Sequence, residues 1–434
     1  MRSMLIRTVL VAVGILLSSF ICCNYSVLGE LPCSDIVYVG GSGPGNYSGI
    51  QAAIDDVDVG GTVFVYSGTY YENVLIDKKI SVIGEDKNST VVDAGGKYFG
   101  VSIDSDSVVF ENFFVRNATS LCWPDPWVFG ALSVINASNV SVLNNIFSND
   151  FIGVCLLRSH GCVLKGNKFY GCSIAMWGGA GESKLGSYIH DIDQSNQINN
   201  KTVYYYLNER GIHHTGDAGE IFFVNCSDCC VSDVLMDNAS ACIQVLYSTA
   251  ITVENSRFMD ITSTAIHLDH ADNNIIQHNA FLRNNRLDYI FLDFSSYNCI
   301  QFNVINGYLP AITLMRNSNH NLIYRNSLSS KVDSILMDHS YWNVVAQNNI
   351  DGSIVQRFFN RSVGGDVVLG GTFFFTNKFY GNYWVDWIGN EHKVFRRKFI
   401  FGSGLLRSPV IDNGKIQLPF IWVDMNPARE PYLI

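Results

Sequence analysis

Apolar residues in this chain fall in short runs of period two, separated by polar turns, with almost no helical spacing. Phrases such as Ile251-Thr252-Val253-Glu254-Asn255 recur. One aliphatic anchor per phrase gives Val109, Val142, Leu164, Val231, Val253, Ile276, Ile300, Ile323 and Val345, at intervals of 33, 22, 67, 22, 23, 24, 23 and 22. Another large apolar residue follows five positions later, as in Phe147, Phe258 and Ile305. A second alternation appears at Ile266-x-Leu268, Ile290-x-Leu292, Ile312-x-Leu314 and Ile335-x-Met337. One such repeat cannot bury its own apolar side. Stacked repeats pair successive strands at ~4.8 Å and join the inward residues into one column. The pattern predicts an all-β fold: a right-handed parallel β-helix with about 22 residues per coil.

Three residues after the anchor, seven of nine positions are Asn: Asn112, Asn145, Asn167, Asn279, Asn303, Asn326 and Asn348. An Asn at one corner of successive coils can bond to the neighbouring turn and satisfy backbone groups that the bend leaves unpaired. These seven are assigned a structural role.

Both ends of a solenoid expose an apolar cross-section and need covers. Ser48-x-x-Gln51 resembles a capping box, and Ile50, Ala53, Ile54 and Val57 follow helical spacing. Residues 48–58 are therefore expected to form a helix that plugs the N-terminal end. Short strands are expected at 62–66, 74–76, 79–83 and 90–92. The expected organisation is a signal segment over 1–29, an N-terminal cap and first coils over 36–97, a β-helix over 98–372 and a C-terminal cap over 373–434. The 67-residue interval is read as one coil plus an excursion over 175–218. That excursion is either a functional insertion or a lateral cover on one sheet, and three unrecognised coils also fit the arithmetic. With the excursion, Cys162 and Cys229 would sit on adjacent coils and could form a disulfide.

Gly40–Gly96 resembles the N-terminal region of pectin-lyase-like β-helix proteins, through Ile50-Gln51-Ala52-Ala53-Ile54-Asp55, Gly68-Thr69-Tyr70-Tyr71-Glu72 and Ile83-Gly84-Glu85. The segment from His190-Asp191-Ile192-Asp193 to Val203-Tyr204-Tyr205-Tyr206 is closer to the NosD-like branch. So are Ala218-Gly219-Glu220, Val224-Asn225-Cys226 and Gly381-Asn382-Tyr383-Trp384-Val385-Asp386. The resemblance implies an exported or cell-surface β-helix, grouped with carbohydrate-binding proteins and sugar hydrolases. The named member of that branch assists copper-site assembly in nitrous oxide reductase.

Charge and the first residues narrow the setting. The net charge is −10, from 29 Lys plus Arg against 39 Asp plus Glu, so no nucleic-acid partner is expected. Arg2 and Arg7 precede an apolar run over 8–21, shorter than a membrane span, with a cleavable stretch near Val27-Leu28-Gly29. This reads as a secretory signal, with no membrane span in the mature chain. Twelve Cys in the chain and nine Asn-x-Ser/Thr sequons beyond the signal segment agree with a secreted or cell-surface location, and the expected partner is an extracellular glycan or an envelope protein.

Chemistry is expected on one strand row. The position after each Ile266-type strand pair is Asp269, Asp293, Met315 and Asp338 in successive coils, and these residues are expected to face solvent. Asp269 and Asp293 would lie ~5 Å apart, close enough to raise one pKa for acid–base work or to hold Ca²⁺. Catalytic candidates are Asp269, Asp293 and Arg316. Ligand-binding candidates are His267, Asp269, His270, Asp293 and Asp338, with His339 nearby. Phe291 and Tyr247 are expected as exposed rings for sugar stacking. Asp is also a common turn residue, Met315 interrupts the acidic column, and no pectin-esterase or polygalacturonase signature is present. A non-catalytic binding scaffold is the leading reading, ahead of a polysaccharide lyase or glycosidase and, lower, a copper-site accessory. His213 and His214 are the metal candidates, and copper is not expected.

Overall fold

The computed structural model describes residues 35–97, 99–119, 130–148, 150, 152–179, 184–284, 289–357, 377–380, 382–384, 398–402 and 420–424. The signal segment and much of the C-terminal region lie outside these residues. The architecture is a parallel β-solenoid of about 13 turns with about 23 residues per coil and very little helix. Strand register follows the repeat. Val231 pairs in turn with Val253, Ile276, Ile300, Ile323 and Val345. Ile266 pairs with Ile290, Ile312 and Ile335 along another face. These inward residues are buried and form one continuous core. We call the first of these the anchor face and the second the acidic face. The third face follows the Asn-bearing turn and is called the Asn-turn face.

The helix Ile50–Asp56 plugs the N-terminal end and buries Ile50, Ala53 and Ile54. Its cap differs from the expected box. Gly49 is the N-cap, and no side chain of the helix caps it. Instead, the N–H groups of Ile50 and Gln51 donate to the Glu72 carboxylate, each at 2.9 Å. A carboxylate 22 residues downstream thus serves orphan donors that local sequence would assign to Ser48.

Three further expectations are corrected. The first anchor is one residue out of phase: Phe110, not Val109, pairs with Val142 and is buried. The run Val108-Val109-Phe110 carries three apolar residues, so periodicity alone does not choose among them. Residues 175–218 do not form one long excursion. Leu164 pairs with Ile192, and His214 pairs with Val231, so the 67-residue interval holds three coils. Cys162 and Cys229 are then separated by intervening coils, and both are free thiols. Lastly, the stack continues past residue 373. Lys378–Tyr380 pairs with Val344–Ala346, and Tyr383–Trp384 pairs with Asn349–Ile350.

The stack breaks near its middle. Asp191–Ile192 closes a seven-stranded sheet on the anchor face, and His213–Thr215 opens a separate eight-stranded one. Between them, Gln197–Ile198 turns back in an antiparallel pairing onto Lys201–Leu207. Lys201–Leu207 is then the first strand of the acidic face in the second stack, pairing with Glu220–Val224.

Candidate functional site

The acidic row has the expected register: Leu246, Asp269, Asp293 and Met315 are neighbours on successive strands. Its surroundings are not those expected. Asp269 and Asp293 are each 1% exposed, and His267 is 4% exposed. Phe291, expected as an exposed platform, is 8% exposed.

Part of the cover is the end of the first stack. Strand Ile174–Trp177 pairs with Val154–Leu157 on one edge only. Side chains of the second stack take the place of a strand on its other edge. Ile174 N–H donates to Glu220 Oε2 at 3.0 Å, and Met176 N–H donates to Gln244 Oε1 at 3.3 Å. Gln244 Nε2 donates to Ile174 O at 2.7 Å and to Glu220 Oε1 at 2.8 Å. A short helical turn, Leu185–Tyr188, follows. Its Tyr188 hydroxyl accepts from Gly178 N–H at 2.9 Å and donates to Asp269 Oδ2.

The remaining oxygens of the acid pair are also occupied. Asp269 Oδ1 bonds His270 Nδ1 at 2.6 Å. The Arg316 guanidinium grips both oxygens of Asp293, with Nε to Oδ1 at 2.6 Å. Farther along the row, Asp338 Oδ1 bonds His339 Nδ1 at 2.6 Å. Burial pushes the Asp293 carboxyl above its usual range, and the Arg316 fork pulls against that shift. Burial lowers His267 to about 4, so its imidazole is neutral. A Ca²⁺ ion at this pair would have to displace Arg316, Tyr188 and His270 from the oxygens it needs.

The residue after each acidic-row position bends the chain out of its strand. Tyr247, His270, Phe294, Arg316 and His339 all have φ between 45 and 51°. Bulky residues adopt this left-handed conformation at a cost of roughly 1–2 kcal/mol each. Stacking offsets it. Tyr247 lies on His270 at 4.6 Å and His270 on Phe294 at 4.9 Å. Arg316 lies 5.6 Å over Phe294 and 5.4 Å over the Trp177 ring of the cover.

The other singled-out residues separate into distinct environments. His213 is exposed, with Nε2 3.4 Å from Ser232 Oγ. His214 sits in the inward column opposite Val231, its Nδ1 3.0 Å from the Tyr206 hydroxyl. The two therefore face opposite sides of one strand. Of the seven Asn, Asn145 and Asn167 form one buried ladder that ends on Asn196, and Asn279, Asn303, Asn326 and Asn348 form a second that ends on Asn382. Asn112 is not in a ladder. Phe113 occupies that position and donates its N–H to Asn145 Oδ1. Sequence reading missed a further ladder, Asn274, Asn298, Asn321, Asn343 and Asn377, two residues before each anchor. It also missed the spacing Cys226-Ser227-Asp228-Cys229, which is plain in the sequence.

A family model described as "Periplasmic copper-binding protein (NosD)" matches residues 211–389. The chain is NosD-like over that stretch. The NosD-like stretch holds the acidic row, the second Asn ladder and the left-handed stack. No curated protein matches the chain. Among solved structures, the chain is similar to PfbA, a surface adhesin of Streptococcus pneumoniae, at 16% identity, covering 72% of this chain and 87% of that one, with a TM-score of 0.31. It is similar to a pectin methylesterase variant in complex with a hexasaccharide at 10% identity, covering 57% and 79%, with a TM-score of 0.28. It is similar to an alginate lyase from a Paenibacillus species at 10% identity, covering 71% and 95%, with a TM-score of 0.25. At such identities, substrate and activity must be read from this chain's own residues. Among the described residues, no three His, Cys, Asp or Glu side chains group to hold a metal ion.

Proposed function

We propose that this protein is an exported, non-catalytic β-solenoid that displays its faces to a glycan or protein partner at the cell envelope or surface. One observation carries the non-catalytic reading. The acid pair best placed for lyase or glycosidase chemistry spends all four carboxylate oxygens on Tyr188, His270 and Arg316, under a cover. A general acid or base must reach the proton it transfers, and these carboxyls face protein. The basic start and apolar run at the N-terminus support export. Among the described residues, no helix is long and apolar enough to cross a membrane.

The test is a glycan array followed by a product assay on every hit. Binding without new reducing or unsaturated ends is expected. Turnover that disappears in Asp293→Asn would replace this reading with the enzymatic one.

A further inference from the structure

The acidic face is covered at Asp269 and Asp293, but the Asn-turn face of the same coils is open. There, a surface groove of about 500 Å³ is lined by Arg257, Leu282, Arg283, Asn306, Tyr308 and Lys331, among others. We propose that this groove binds an anionic sugar chain. The proposal rests on the display reading above and names its ligand class and its site.

The groove arises from strand length. Arg257–Met259, Ala280–Asn284, Val304–Gly307 and Ser327–Asp338 are four successive strands in register, with Met259, Leu282, Asn306 and Ser329 abreast. The first strand stops at Met259, and the later ones run on. A register shift between Leu282 and Asn284 puts Arg283 at φ 61°. The groove residues beyond the shared register therefore project past the short first strand.

Its chemistry is a mixed one. Arg257, Arg283 and Lys331 bring three cations from the first, second and fourth strands, which span ~14 Å at one strand spacing each. Arg283 is partly neutralised by Asp260 at 2.8 Å. Among the described residues, Arg257 and Lys331 have no carboxylate partner. Lys331 Nζ sits 5.6 Å over the Tyr308 ring, which is 48% exposed. On a chain with net charge −10, a concavity holding unneutralised cations focuses positive potential against the molecule's average. A lone phosphate would use only one end of it. A chain of sugar rings laid along the solenoid axis uses all of it. Arg forks take carboxylate or sulfate groups, Asn306 offers an amide to hydroxyls, and Tyr308 and Leu282 offer apolar surface to ring C–H groups.

The experiment titrates the full chain with labelled hexasaccharides of three kinds: polyuronate, sulfated and neutral. An acidic oligomer is expected to bind, and more weakly at about 0.5 M salt, where the Debye length falls below ~5 Å. Arg257→Ala with Lys331→Ala is expected to weaken binding by about tenfold or more at an unchanged melting temperature. Which acidic oligomer binds distinguishes carboxylate from sulfate. A double variant that binds like wild type overturns the proposal. So does a polyphosphate of equal charge that binds as tightly as the sugar, because that would be capture by bare charge. Binding of the neutral oligomer alone overturns this proposal and leaves the display reading standing. Binding of none of the three overturns this proposal, and the glycan branch of that reading fails with it.

Discussion

Asn303 illustrates how single side chains hold the coils together. Its Oδ1 accepts from the Asn279 backbone N–H at 3.0 Å and from Asn279 Nδ2 at 3.1 Å. Its Nδ2 donates to Ile276 O at 2.8 Å. All of this is buried, so truncation strands partners that water cannot reach. Asn303→Ala is expected to destabilise by about 2–4 kcal/mol in a denaturant melt. Asn112→Gly, outside the ladder and at φ 65°, is expected to stay within about 1 kcal/mol. Arg316 tests the acidic row. Arg316→Met leaves the buried Asp293 carboxylate uncompensated and is expected to cost about 3–5 kcal/mol. Adding Asp293→Asn should recover most of that loss. If the single and double variants melt alike, the fork is not what holds this site.

At the scale of elements, the cover strand Ile174–Trp177 depends on side chains rather than on a second strand. Gln244→Ala removes the acceptor for Met176 N–H and a donor to Ile174 O. Amide hydrogen exchange at Ile174 and Met176 is expected to speed up well before global unfolding. Unchanged protection would show that packing alone seats the strand. None of this was visible in the repeat. The anchors from Val231 to Val345 were legible because an inward position must be apolar in every coil. The cover was not, because its contacts join residues 46 to 81 apart and follow no period. The Glu72 cap escaped although it lies one coil away, because it serves a single helix end and no other coil repeats it. The ladder from Asn274 to Asn377 was legible in principle, because its members share one phase two residues before the anchors.

For the whole molecule, pH acts through buried groups with opposite signs. Burial lowers His190 and His267 to about 4, so the unfolded chain takes up these protons first, near pH 6.5. Stability from these groups is present above about pH 6.5 and is lost as pH falls towards 4, at about 3 kcal/mol each at most. His190 shows why: its Nδ1 accepts from Cys162 N–H at 3.2 Å, and protonation would abolish that bond. Asp150 runs the other way. Burial raises it to about 8, so the folded state holds a proton that the unfolded state loses near 3.8. Its penalty grows as pH rises from 3.8 to 8. Asp150→Asn keeps an acceptor for Ala118 N–H and is expected to melt higher than wild type at pH 8, with the gain vanishing towards pH 4. An equal gain at both ends of that range would mean that the carboxyl is ionised in the fold.

Local chemistry alone determined the coil, the inward columns, the Asn phase and the order of residues along the acidic row, because each depends on neighbours one period away. Tertiary structure alone decided whether that row meets water. Exposure is set by whatever packs on the outward face, and here that includes the end of the first stack, brought over the second where the coil sequence breaks. A pair of carboxylates that reads as a reactive face in one dimension is therefore an internal seam in three.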